Sequence, residues 1–293
     1  MCDELTEAEN AAWLSRRQFG AIGASVAAIA AVPGCMAQTS ASSGLGPMPT
    51  KGRAVTISAP DGKVDAWFYT PETGKHPAII MWPDIAGLRE AYKTMAARLA
   101  SSGYAVLVVN HYYRGAVAPV LDSLVAWRTP EGQAKLGPLI AGITPEGTVR
   151  DASAFVGWLD SQTEVDSTKK IGTCGYCMGG PYTVRTAFAQ PTRVGAAASF
   201  HGAGLVGDAA TSPVQLLAKT QAAFLFAIAQ NDDASAPGDK DALRAAAKAA
   251  GRQAEVEVYP AQHGWCTIDA PIYDRDQAEK AWSRMLALYA ANL

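Results

Sequence analysis

Lys170-Ile171-Gly172-Thr173-Cys174-Gly175-Tyr176-Cys177-Met178-Gly179-Gly180-Pro181 is the stretch whose reading decides the fold. Residues 170–174 read as a short buried strand, and Pro181 to Gln190 can form a helix. The join between them, Gly175-x-Cys177-x-Gly179, fits the sharp strand-to-helix turn that lifts a nucleophile above a sheet. Glycines on either side of Cys177 permit a turn too tight for larger residues. The N–H of Met178, just after the nucleophile, then lies at a helix N-terminus, where it can help hold an oxyanion. Gly-rich turns around a buried cysteine are common, so the pattern needs an acid and then a histidine further along the chain.

Both follow, in that order. The chain has only four histidines, His76, His111, His201 and His263. His263 lies in Tyr259-Pro260-Ala261-Gln262-His263-Gly264-Trp265, a loop just past the strand-like residues Ala254 to Tyr259. Upstream, Ala222 to Ala229 is an unbroken apolar run, as expected of a strand covered on both faces. It ends in Gln230-Asn231-Asp232-Asp233, which puts an acidic pair at a strand's C-terminal edge. The order Cys177, Asp232 or Asp233, His263 is the nucleophile–acid–base order of the α/β-hydrolase fold. Asp232 is favoured because it ends Ala229-x-x-Asp, whereas counting back from Pro237 favours Asp233.

With these residues in view, the chain from about Val55 to its end resembles the dienelactone hydrolase family. Gly175-x-Cys177-x-Gly179-Gly180 matches the family motif, and the strand-end aspartate and His263 match its acid and base. The resemblance implies an oxyanion hole built from the N–H groups of Ile85 and Met178. It also implies a carboxylate touching the nucleophile, which falls on Asp84 where the family has glutamate. Asn110-His111-Tyr112-Tyr113-Arg114 corresponds to a family segment that keeps its arginine. Thr267 stands where the namesake enzymes place a second arginine for the substrate carboxylate, and bidentate arginine pairing is what selects such anions. Tyr112, Arg114, His201 and Trp265 are the candidate substrate-binding residues, although a structural role also suits His201. The implied activity is cleavage of a small ester or lactone through a thioester acyl-enzyme.

The remaining elements agree with that architecture. Val55–Ser58 and Val64–Tyr69 alternate around Pro60-Asp61-Gly62 and predict an antiparallel hairpin. Strand Pro77 to Trp82, helix Arg89 to Ser101 and strand Ala105 to Asn110 form the first βαβ unit. Residues 115–147 read as an irregular insertion, either a cap over the pocket or a surface loop. Helix Thr148 to Gln162 precedes the Cys177 turn. Strand Val194 to Phe200 and helices Asp239 to Ala250 and Arg275 to Ala290 follow it. The expected fold is α/β, an α/β-hydrolase with a mostly parallel doubly wound sheet, an N-terminal antiparallel hairpin and three α/β/α layers.

Composition narrows the function classes. The 293 residues are 49% apolar and 18% charged, which describes a globular core, and one catalytic domain over 53–293 accounts for them best. A formal net charge of −2 gives no electrostatic case for nucleic acid or an anionic membrane. No ligand spacing for a metal occurs, and no cofactor is expected. Cys174-x-x-Cys177 invites a thiol–disulfide oxidoreductase reading, but Cys174 still belongs to the strand. A non-catalytic binding protein that retains the fold is a second alternative.

The first 52 residues read separately. Arg16-Arg17 precedes the small, apolar run Ala21 to Val32, which resembles a twin-arginine export signal ending at Ala37. The run is too short for a transmembrane anchor. Val32-Pro33-Gly34-Cys35 alternatively resembles a lipobox, which would make Cys35 a lipid anchor. Residues 38–52 read as a flexible linker. The expected destination is the periplasm or envelope.

Overall fold

The computed structural model describes residues 47–293. The export signal, Cys35 and most of the expected linker lie outside the described residues. Strands β1 (Thr50–Ala59) and β2 (Gly62–Pro71) form the expected hairpin, longer than the alternation alone suggested. Gly62 adopts φ 144°, which a residue with a side chain rarely does, and so closes the turn after Pro60-Asp61.

The hairpin continues into β3 (Ala78–Trp82), helix α1 (Glu90–Ser101) and β4 (Ala105–Val109). Helices α2 (Pro130–Ala141) and α3 (Pro145–Asp160) follow, then β5 (Ile171–Tyr176), α4 (Gly180–Ala189) and β6 (Val194–Phe200). A short α5 (Pro213–Leu216), β7 (Ala223–Ala229), α6 (Gln230–Ser235), α7 (Asp239–Ala249), β8 (Ala254–Tyr259) and α8 (Arg275–Asn292) complete the described chain. The eight strands are ordered β1-β2-β4-β3-β5-β6-β7-β8, and β4, β3, β5, β6, β7 and β8 run parallel.

Strand parity builds the layers. Ile79 and Met81 pack on one face with Tyr92, Met95 and Leu99 of α1 and Met285 and Tyr289 of α8. Ala78, Ile80 and Trp82 pack on the other face with Phe155, Val156 and Leu159 of α3 and Tyr182 of α4. Both faces of β3 are buried, which is why its sequence is an apolar run rather than an alternation. Full burial of the larger of these side chains, such as Ile79, Met81 and Ile80, contributes roughly 1.5–3 kcal/mol each.

The 115–147 insertion differs from its expected irregular form, because it contains α2. Thr129-Pro130-Glu131 and Thr144-Pro145-Glu146 start α2 and α3 in the same way. In each, the threonine hydroxyl accepts a backbone N–H (Gly132 or Gly147, 3.0 Å) and proline takes the first turn. Gly132, Gly137 and the interior Pro138 blur the helical pattern of α2 in the sequence. Leu136, with Leu139, Ile140 and Ile143, packs in one apolar cluster with Tyr112, Ile85 and Met178. The insertion therefore forms a wall beside the Cys177 turn.

Candidate active site

Parallel strands deliver their C-terminal ends to one edge of the sheet, and the candidate residues collect there. Cys177 follows β5 at φ 52°, in the left-handed region. That conformation costs a non-glycine residue about 1–3 kcal/mol and persists only where its surroundings enforce it. A Cβ on Gly175 would come within 2.1 Å of the Gly179 carbonyl oxygen, and one on Gly179 within 2.4 Å of the Trp82 oxygen. Gly180 packs against Ser199 Oγ and Gly202, leaving no room for a side chain there either. The Cys177 N–H donates to His201 Nδ1 at 3.1 Å, and its carbonyl accepts from Ala203 N–H at 3.2 Å.

His263 lies beyond β8, and its Nδ1 is 2.7 Å from Asp232 Oδ2. Asn231 fixes the same loop by accepting the His263 backbone N–H at 2.8 Å. Asp233, the alternative acid, faces away and is held by Lys240 Nζ at 2.7 and 2.8 Å. Burial by itself lowers the His263 pKa, but the Asp232 carboxylate and the neighbouring Cys177 sulfur outweigh it and raise the value to about 10. The structure thus brings Cys177, His263 and Asp232 together, with a cationic imidazole favoured at neutral pH.

The loop after β3 presents a donor. Asp84 N–H donates to Tyr92 Oη (3.0 Å), Ala86 N–H to Asp84 Oδ1 (2.9 Å) and Gly87 N–H to the Asp84 carbonyl (2.9 Å). Tyr112 Oη donates to the Ile85 carbonyl at 2.7 Å. Among the described residues, the Ile85 N–H alone in residues 84–87 carries no hydrogen bond. Met178 sits in the first helical turn, where N–H groups lack intrahelical partners.

Five expectations are corrected. Asp84 does not hydrogen-bond Cys177, because Arg89 takes both its oxygens at 2.7 and 2.9 Å. Arg89 also pairs with Asp269 through Nε (2.8 Å) and Nη2 (2.7 Å), and its side chain is 1% exposed. Arg114 is not a free carboxylate clamp, since Asp61 and Asp151 neutralise it at 2.7 and 2.8 Å. His201 is 1% exposed and serves the backbone of Cys177 instead of a substrate. Trp265 is fully buried, stacked on Tyr259 and edge-on to His201. Tyr112 is buried too, and its hydroxyl is spent on the Ile85 carbonyl.

Thr267 has no exposed surface and lies 3.5 Å from Tyr92 Oη, so an arginine there would not reach a pocket by simple replacement. Cys174 is buried within β5, its thiol pushed up to about 12 by burial, and Cys174, Cys177 and Cys266 are all unbridged. Among the described residues no cluster could hold a metal ion, and no helix is long and apolar enough to cross a membrane. Sequence reasoning missed Arg89, Asp269 and Asn231. Arg89 was legible only as a helix start, and nothing local connects it with a carboxylate in the loop after His263.

The eight-stranded sheet with its flanking helices has the α/β-hydrolase architecture, and comparison with known proteins gives the family. The family described as "Dienelactone hydrolase family" matches residues 64–293, and the chain belongs to it. A relative from Methylorubrum extorquens named "Putative carboxymethylenebutenolidase" is 27% identical over 237 residues, covering 79% of this chain and 78% of that protein. The crystal structure of a "Putative Dienelactone Hydrolase" from Klebsiella pneumoniae superposes with a TM-score of 0.70 at 24% identity, covering 83% of this chain and 99% of the other. A dienelactone hydrolase-like promiscuous phosphotriesterase from metagenomic libraries superposes at 0.67 and 20% identity, with coverage of 83% and 98%. The chain is a hydrolase of esters or lactones with a small-molecule substrate.

Proposed function

We propose that the enzyme cleaves small esters or lactones by covalent catalysis, with Cys177 as nucleophile, His263 as acid and base, and Asp232 as the residue that orients His263. The observation that carries this reading is the strained Cys177 backbone beside a His263 whose Nδ1 is held 2.7 Å from Asp232. The Cys177 thiolate attacks the carbonyl carbon, and the carbonyl electron pair moves to oxygen, where the Ile85 and Met178 amides face it. Collapse of that adduct breaks the carbon–oxygen bond, and the His263 imidazolium protonates the departing alkoxide. The neutral imidazole then takes a proton from water as the water attacks the thioester. Collapse of the second adduct expels the Cys177 thiolate and releases the free acid, and the proton kept on His263 restores the starting thiolate–imidazolium pair.

The test is a panel of small esters and lactones, run with Cys177→Ala alongside. Turnover should fall at least about a thousandfold in the variant, in line with removal of a nucleophile that acts jointly with its base. Mass spectrometry of the quenched wild-type enzyme should show an acyl adduct on the peptide carrying Cys177. Turnover unchanged by Cys177→Ala would overturn the mechanism. Hydrolysis by neither protein would favour a binding role for the retained fold. Arg16-Arg17 and the apolar residues 21–32 further support export by the twin-arginine route to the periplasm or envelope, with Cys35 as an alternative lipid anchor. Retention of Arg16→Lys/Arg17→Lys protein in the cytoplasm, measured by fractionation, would support it, and unaffected export would overturn it.

A further inference from the structure

The backbone N–H of the residue at the Cys177 turn ends on a side chain from a different strand. His201 follows β6, lies at φ 39° and is 1% exposed. Its own N–H is fixed by the Ala227 carbonyl at 2.8 Å, and its Nδ1 accepts the Cys177 N–H at 3.1 Å. Its ring centroid lies 4.8 Å from that of His263 and 5.1 Å from that of Trp265. We infer that His201 is the positioning residue of this site, holding the Cys177 peptide so that the sulfur faces His263 while the Met178 N–H stays turned toward the oxyanion.

The 176–177 peptide is planar, so anchoring its N–H sets the plane from which the left-handed φ of Cys177 departs, and a shift of that plane would carry the sulfur with it. Once His201 takes the Cys177 N–H, that amide is withdrawn from the oxyanion, which leaves the role to the proposed Ile85 and Met178 donors. An accepting Nδ1 also places the ring proton on Nε2 and requires a neutral ring, because a protonated His201 would set N–H against N–H. Burial first, and the nearby His263 second, hold the His201 pKa well below its usual value, which agrees with that requirement. Without the acceptor, a buried N–H would be left unpaired, and the peptide would rotate to find another partner. A left-handed φ at His201 itself suits asparagine better than most residues.

This rests on the Cys177 mechanism above, and the experiment is built to separate the two. His201→Asn keeps an acceptor oxygen near the position of Nδ1, His201→Gln moves it one bond further out, and His201→Leu removes it. Each is first checked for folding by thermal melting. Ester turnover and the rate of Cys177 alkylation by iodoacetamide, read by mass spectrometry, are then measured. In the Leu and Gln variants kcat should fall about 10- to 100-fold with KM changed little, the mark of an interaction that matters in the transition state. Alkylation should slow in the same order, and His201→Asn should recover most of both rates. Folded Leu variants that match wild type in both rates, or an Asn variant as slow as Leu, would overturn the inference. Absence of wild-type ester turnover would count against the hydrolytic mechanism only, since alkylation still reports on how the thiol is held.

Discussion

At the scale of single residues, the protonation of His263 sets how the enzyme should respond to pH. Its folded-state pKa of about 10 lies above the ordinary 6.5, so the charged ring favours the folded state at all pH values below 6.5. That contribution fades as pH climbs from 6.5 through about 10, and stability should decline over the same window. Turnover should have an alkaline limb there too, because a neutral imidazole cannot protonate the leaving alkoxide. Asp232→Asn removes a principal cause of the raised value, so the imidazole titration followed by NMR should move toward neutrality and kcat should drop by about 10⁴, the loss seen when an amide favours the wrong tautomer. Asp233→Asn leaves the ring's partner in place and should change little beyond the Lys240 pair. If the two variants titrated alike, the assignment of the acid would be wrong.

The order of cysteine, acid and histidine was legible in the sequence, because glycine spacing and strand-end position are local signals. The choice between Asp232 and Asp233 was not. Adjacent residues in α6 point in different directions, and Lys240, from the next helix, captures Asp233.

At the scale of elements, one guanidinium holds three loops together. Arg89 binds Asp84 in the loop after β3 and Asp269 in the loop beyond His263, and Asp269 also accepts the Leu124 N–H of the insertion at 3.4 Å. Both forks are made inside the protein, where removing one partner of a buried pair typically costs about 3–5 kcal/mol. Arg89→Met should therefore lower stability in urea by an amount of that order, and kcat should fall because the loop that carries Ile85 loses its brace. Asp269→Asn, half as disruptive in charge, should show the same effects more weakly. A native-like urea midpoint for Arg89→Met would contradict this account. The reason such a link escapes a linear reading is its range: Arg89 and Asp269 are 180 positions apart. The hairpin, the βαβ alternation and the helix N-termini are set by neighbouring residues, and they were readable. The fate of Asp84, one methylene shorter than the glutamate the family places there, depended on which cation the fold brought beside it.

At the scale of the whole molecule, charge placement decides which substrates the site can favour. The family resemblance pointed to two arginines gripping a substrate carboxylate, and this chain offers neither. Arg114 is neutralised by Asp61 and Asp151, and Asp61 is shared with Arg150, so the group has two cations and two anions. Thr267 lies in the interior beside Tyr92. A hydrogen bond to a charged group contributes about 1.5–3 kcal/mol, so a site without clamps forgoes roughly tenfold or more in affinity for an anion. The enzyme should therefore hydrolyse an uncharged ester or lactone at least as well as its free-acid analogue, compared as kcat/KM. Thr267→Arg should fail to reverse that order. Its guanidinium would enter the buried region that Arg89 already occupies, and the variant should be less stable, at a cost of about 3 kcal/mol or more for an unpaired buried charge. A wild-type enzyme with a strong preference for the free acid would mean that Arg114 leaves its two aspartates when substrate binds. Asp61→Asn and Asp151→Asn should then sharpen that preference, and under the charge-neutral arrangement they should instead create it.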